Sequence, residues 1–401
     1  MPQASQSRTK NTLNRVNRSR SAAQGGWRSS VHMGVLAAWV CLMAFGALVV
    51  WSASLTIADA SISRHLLGIG LGVACAIVIW RSDLRELANI STALLVIDIV
   101  CIFLPYVPGL SYNAKGMTGW IRFPLIGLTF QPVEIVKLIT VFFMSSLGAQ
   151  YNGRIDTVRD YLKLCGMLAI PFVCIIIQGD LGSSLVVFFA GAVVIMMSGA
   201  RKEWVLSTIA VIIGLVSLIL ATDSIIDGIL GDSASLIKQY QMNRLLVFMD
   251  PTSSDSDEAY NLLQSLIAVG SGGFFGKGVG NATQSGSGFL PEAHTDFVFA
   301  LLSETFGFAG ALLLLVLFGI LMLSTVRVAI KSDNLFLRLV CVGIVGMWMF
   351  QIFENIGMCI GLMPITGIPL PFISFGSSSM IAQCCAIGIV QSIWRCRTKS
   401  A

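Results

Sequence analysis

The sequence predicts an all-α polytopic integral membrane protein: about ten transmembrane helices and one long extracytoplasmic loop. Three observations carry this. The 401 residues are 55% hydrophobic and 12% charged, with a mean hydropathy of +0.81, whereas soluble domains carry about 25% charged residues. Apolar runs of about 20 residues, the length that crosses a bilayer core as helix, recur along the chain between clusters of charge, Gly and Pro. Lys and Arg gather in alternate loops. The net charge of +5 follows from that placement and is not a nucleic-acid signature.

The runs fall at 33–56, 64–80, 87–107, 131–149, 161–177, 181–199, 204–222, 296–323, 337–362 and 374–394. With ten spans, the basic clusters share one side. They are the tail 1–30 (Arg8, Lys10, Arg15, Arg18, Arg20, Arg28), Arg81 and Arg85, Arg154, Arg159 and Lys163, Arg201 and Lys202, Arg327, Lys331 and Arg338, then Arg395, Arg397 and Lys399. The expectation is a bacterial plasma-membrane protein with both termini cytoplasmic. Residues 1–30 form a basic tail, expected to be disordered, that serves as a topology signal or touches anionic membrane lipid. The membrane domain is 31–395, and 396–401 closes the chain as a short tail. The ten cysteines lie mostly in apolar runs without metal-ligand spacing and read as core residues.

The opposite face receives loop 108–130, turn 178–180, loop 223–295 and turn 363–373. The longest of these carries eight acidic residues (Asp223, Asp227, Asp232, Asp250, Asp255, Asp257, Glu258, Glu292) against Lys238, Arg244 and Lys277. Leu262, Leu263, Leu266, Ile267 and Val269 are spaced as an amphipathic helix.

Phe289 to Phe299 places Glu292, His294 and Asp296 at the mouth of an apolar run. A carboxylate at a membrane boundary loses solvation and marks proton transfer, ion binding or substrate contact; His294 alone also reads as a hydrogen-bonding loop residue. The glycine-rich run Gly270–Gly280 fails the phosphate-loop spacing, because Gly278 follows Lys277. It is a re-entrant turn, or a backbone that approaches a headgroup with Lys277 as the cation. Glu134 and Lys137 lie at i, i+3 and form an internal ion pair or a substrate contact. Asp180 reads as a helix cap. Trp120 and Arg122 read as interfacial anchors. Glu354-Asn355, followed by a Pro/Gly-broken stretch and Ser377-Ser378-Ser379, argues for a polar cleft open to the outside. Such a cleft suits an amphiphile with an anionic headgroup and a lipid tail.

Several motifs in one order resemble the SEDS family (RodA, FtsW, SpoVE). They are Gly116-Met-Thr-Gly-Trp120, Gln131-Pro-Val-Glu134-Ile-Val-Lys137, Tyr240 to Pro251 with Arg244, Tyr260 to Ser265 with Gln264, Gly270 to Gly278, Leu290 to Phe297, and Asn355 to Ser374. The resemblance covers nearly the whole chain after the tail. It is closest to RodA, since division-type members more often have lysine where Thr366 stands. Gly119, Val133, Gly179, Ser183, Phe375 and Ser377 depart from the usual pattern, and none removes the candidate acid.

The resemblance implies a ten-span peptidoglycan glycosyltransferase that polymerises lipid II, serving cell-wall elongation and cell shape. The donor would be a glycan on undecaprenyl diphosphate and the acceptor the GlcNAc 4-hydroxyl of lipid II. Inversion at the donor carbon needs a base and cations for the leaving diphosphate. Asp296 matches the family's catalytic aspartate. Lys277, Arg244 and Lys137 are the diphosphate candidates; Glu292, His294, Trp120, Glu134 and Gln264 complete the substrate-binding set. A divalent cation (Mg or Mn) fits the acidic loop; no organic cofactor and no nucleic acid are expected. The partner expected is a class B penicillin-binding protein, a transpeptidase. The competing readings are a lipid II flippase, a division-type polymerase and a membrane scaffold.

Overall fold

The computed structural model describes residues 30–108, 111–114, 117–122, 129–230, 244, 247–249 and 256–397. Among the described residues, ten long helices lie where the ten apolar runs were expected, and another, α8, lies on the long loop. They are α1 (Met33–Ser54), α2 (Ile62–Arg81), α3 (Ser91–Phe103), α4 (Val133–Ala149), α5 (Val158–Gln178), α6 (Leu181–Met197), α7 (Lys202–Leu230), α8 (Asp257–Ser271), α9 (Val298–Ile330), α10 (Leu335–Cys359) and α11 (Ser377–Arg397). Five of them, α1, α2, α5, α9 and α10, are by length and composition alone able to cross a bilayer.

Local chemistry sets the ends. Asp180 accepts from the Ser183 N–H at 2.8 Å and starts α6. Asn334 does the same for α10 through the Leu337 N–H at 3.2 Å. Gly179, at φ 93°, ends α5. The amphipathic stretch of the long loop is α8, capped by Ser256 and burying Ala259, Leu262, Ser265 and Ala268 on one face.

The loop after α3 is more ordered than its reading as a connection implied. It contains β1 (Ser111–Ala114), β2 (Met117–Arg122) and β3 (Thr129–Phe130) in antiparallel order, with Tyr112 opposite Trp120 and Ile121 opposite Phe130. Aromatic and β-branched residues favour this small sheet.

The bundle centre is α4, α10 and α11, whose side chains are mostly buried. Alongside, α2 lies so close to α11 that a Cβ on Gly388 would sit 2.6 Å from the Ala76 carbonyl oxygen. By contrast the described side chains of α7 are largely exposed; Tyr161 Oη meets Thr208 Oγ1 at 2.8 Å to anchor its start.

Three of the Lys/Arg clusters that alternate in sequence, those of Arg81 and Arg85, Lys331, and Arg395 and Arg397, meet in space. Arg395 donates to the Arg81 carbonyl at 2.8 Å, Arg85 to the Cys396 carbonyl at 2.6 Å, and Arg397 and Lys331 lie over the Trp394 ring. Burial, then Arg397, Lys331 and Arg327, hold the neighbouring His32 below its usual pKa. This basic end holds the C-terminal ends of α2 and α11.

Candidate functional site

At the opposite ends of α2 and α11 a cavity of about 460 Å³ opens. The start of α2 supplies Arg64, β2 supplies Gly119 and Trp120, the entry to α4 supplies Gln131, and the α5–α6 turn supplies Gln178 and Asp180. Arg244, Glu292, Thr295 and Asp296 enter from the long loop, and the segment after α10 contributes Thr366 to Pro369. The first turn of α11 closes it with Phe375 to Ser379.

Asp296 stands two residues before α9, half-buried. Its backbone N–H donates to the Glu292 carbonyl at 3.1 Å, and its own carbonyl accepts from Asn355 Nδ2 at 2.8 Å. Glu292, at φ 55°, turns the chain; its side chain accepts from Thr295 Oγ1 at 2.7 Å. Facing the Asp296 carboxylate is Gly367, at φ 76°, where an added Cβ would lie 3.3 Å from Oδ2. Glu354 is fully buried behind this wall, accepts from the Thr366 hydroxyl, and lies within electrostatic reach of Asp296 and Arg244. Asp180 Oδ2 accepts from Gln131 Nε2 at 3.2 Å, so this helix cap also braces the cavity.

Four of the residues expected from sequence therefore share the cavity: Trp120, Arg244, Glu292 and Asp296. The other five lie outside its lining. His294 is buried and packs on Phe375, with ring centroids 5.4 Å apart. Glu134 and Lys137 form a buried ion pair at 2.6 Å inside α4. Gln264 sits on α8, its Oε1 without a hydrogen-bond partner among the described residues.

Lys277 lies apart from the cavity lining. Its ammonium donates to Glu304 Oε1 at 2.7 Å and to Thr283 Oγ1 at 2.7 Å. The glycine-rich run around it packs on α9. Gly307 breaks α9 at φ 66°, ψ −165°, freeing backbone groups that the run satisfies. Lys277 N donates to the Glu304 carbonyl and Gly278 N to that of Thr305, while Phe308 N and Ala309 N donate to the Gly273 and Phe274 carbonyls. The approach is close enough that a Cβ on Gly276 would sit 2.2 Å from the Thr305 oxygen.

Arg64 was not singled out from sequence. Its signal was present: it is an arginine at the start of an apolar run, on the face the basic clusters otherwise avoid. The Arg122 side chain and the stretch Tyr240–Asn243 lie outside the described residues. Among the described residues, no group of three His, Cys, Asp or Glu is arranged to hold a metal ion.

Comparison with known proteins agrees with this architecture. The family model for FtsW, RodA and SpoVE, described as cell cycle protein, matches residues 33–399. Stage V sporulation protein E of Bacillus subtilis is 32% identical over 88% of this chain and 94% of its own length. Peptidoglycan glycosyltransferase MrdB of Escherichia coli is 33% identical over 88% of this chain and 90% of its own. A chain from a peptidoglycan synthase complex that coordinates polymerization and crosslinking superposes with a TM-score of 0.72, at 27% identity over 91% of this chain and 98% of that one. The rod shape determining protein RodA of Thermus thermophilus superposes at 0.64, with 26% identity over 91% and 96% of the two chains. Taken with the helical membrane architecture, the match along nearly the whole described chain identifies this protein as a member of the SEDS family, the family of FtsW, RodA and SpoVE.

Proposed function

We propose that this peptidoglycan glycosyltransferase polymerises lipid II into glycan strands at the outer face of the cytoplasmic membrane. The observation that carries the reading is the placement of Asp296 in one cavity with Arg64, Arg244 and Trp120, at the end of the bundle away from the basic cluster. That cluster supports a cytoplasmic assignment for its own end, hence ten spans with both termini inside and residues 31–395 as the membrane domain. In the reaction, Asp296 takes the proton of the acceptor GlcNAc 4-hydroxyl. The oxygen forms a bond to the donor anomeric carbon with inversion, and the bond to undecaprenyl diphosphate breaks. Arg64 and Arg244 face the leaving diphosphate, where fixed cations stabilise the developing charge.

A divalent cation fits this cavity when the diphosphate supplies oxygens, since Mg-type ions are held by one or two carboxylates plus phosphates. Of the cavity carboxylates, Glu292 would supply a ligand for it, which leaves Asp296 as the base. Bound there, it would neutralise charge on the leaving group. A class B penicillin-binding protein is the partner we assign, supported by the likeness to a chain from a synthase complex. Thr366 favours elongation over division; restoring rod shape, but not septation, to cells depleted of each endogenous enzyme tests this.

The assay for polymerisation uses purified protein, its transpeptidase partner, lipid II and Mg. Glycan ladders should form with the wild type and fall on the order of 100- to 10,000-fold in Asp296→Asn, the usual contribution of a general base. Lipid II crossing liposomes without any ladder would move the assignment to a flippase.

A further inference from the structure

Both backbone polar groups of Asp296 are held. Glu292 takes its N–H, and Asn355 gives its carbonyl a donor. The same Asn355 Nδ2 also donates to the Ile368 carbonyl at 2.8 Å. Asn355 is fully buried near the C-terminal end of α10, on the helix anchored deep in the bundle through Trp348, Gln383 and Gln351. One residue earlier, Glu354 takes the Thr366 hydroxyl. The strip Thr366–Ile368, which forms the wall facing the Asp296 carboxylate, is thus tied to α10 at both ends.

A buried asparagine ordinarily does no more than satisfy carbonyls that lack a helical partner. That role alone does not need both N–H groups of one amide nitrogen to serve carbonyls of two separate segments. Separate waters would satisfy each carbonyl and leave their spacing free. One amide nitrogen bonded to both fixes the Asp296 backbone against the wall that limits its side chain. We infer that Asn355 is a positioning residue for the base: acting through the backbone, it sets where the Asp296 carboxylate meets the acceptor hydroxyl. This rests on the reading of Asp296 as that base.

The test compares the wild type, Asn355→Ala, Asn355→Gln, Asn334→Ala and Asp296→Asn, each purified at full length with the transpeptidase partner. The readouts are kcat, KM for lipid II and Tm. Asn334→Ala is the stability control, because it removes the cap at the other end of α10; it should lower Tm and leave kcat alone. Asn355→Ala should lower kcat on the order of 100-fold, as small misplacements of a reacting group do, with KM for lipid II unchanged. Asn355→Gln keeps a donor one methylene away and should recover part of the loss; it gives the same reading if the alanine variant does not fold. Wild-type kcat in Asn355→Ala, or a loss that appears only as a raised KM, overturns the inference. An inactive Asp296→Asn beside a fully active Asn355→Ala sinks this inference alone, while an active Asp296→Asn sinks the reading of the base.

Discussion

Glu304 should matter far more to this fold than the lysine it pairs with. Its Oε1 accepts from Lys277 Nζ at 2.7 Å, Thr283 N at 2.8 Å, Thr283 Oγ1 at 3.1 Å and Gln284 N at 2.9 Å. Its Oε2 accepts from Ser285 N at 3.0 Å and Ser285 Oγ at 2.8 Å. The carboxylate is fully buried, whereas Lys277 keeps 25% exposure. In Glu304→Gln the amide NH2 must face either Ser285 or the Lys277 side; facing Ser285 it loses at least the N–H bond, since only the hydroxyl can turn to accept. The rest lose charge assistance, and bonds to a charged group are worth about 1.5–3 kcal/mol each. A cost of about 3–5 kcal/mol follows, the range for breaking a buried charged network. Lys277→Met removes a partly exposed cation and leaves five donors on the carboxylate, so it should cost only about 1 kcal/mol. Hydrogen exchange at the Thr283, Gln284 and Ser285 amides separates the two. At 1.4 kcal/mol per tenfold, Glu304→Gln should speed exchange by 100-fold or more, and Lys277→Met by less than about tenfold. Equal acceleration in both variants would refute the asymmetry. Unchanged exchange in Lys277→Met with polymerisation lost would instead return Lys277 to the substrate.

Gly367→Ala should reduce polymerisation without unfolding the bundle. Its φ of 76° costs an L-residue about 1–2 kcal/mol, and the new methyl would press on Asp296 Oδ2 from 3.3 Å; wild-type turnover would deny the contact any role. Chelation by EDTA should abolish ladders, with Mg or Mn restoring them, because the cavity carboxylates need phosphate oxygens to complete a cation site; full activity in EDTA would remove the ion from the reaction. In circular dichroism and thermal melts, Asp296→Asn should match the wild type, since the change is nearly isosteric and keeps the backbone bonds to Glu292 and Asn355.

Much of this was legible in the chain. Ten apolar runs became ten helices, because a helix satisfies its own backbone and needs only a local apolar length. Lys and Arg spacing foretold which helix ends gather, because it depends on the order of elements alone. The motif Leu290 to Phe297 marked Asp296, and the cavity does contain it. The glycine-rich run was legible as a motif but not as a contact. Its backbone donors and small volumes could serve a headgroup or a neighbouring helix, and only the break at Gly307 shows that α9 uses several of them. Arg64 was hidden for a similar reason, since an isolated arginine acquires a partner surface only when α2 meets α11.

The sequence by itself determined the membrane class, the helix pattern, the family and the acid at the mouth of α9. These depend on local hydropathy, charge order and contiguous motifs. Only the tertiary structure decided which polar residues share the cavity. It set Lys277 against Glu304, buried Glu134 with Lys137 inside α4, and brought Asn355 to Asp296 across 59 positions of chain. A hydrogen bond fixes its partners within about 3 Å, and sequence distance carries no information about which side chains helix packing will bring that close.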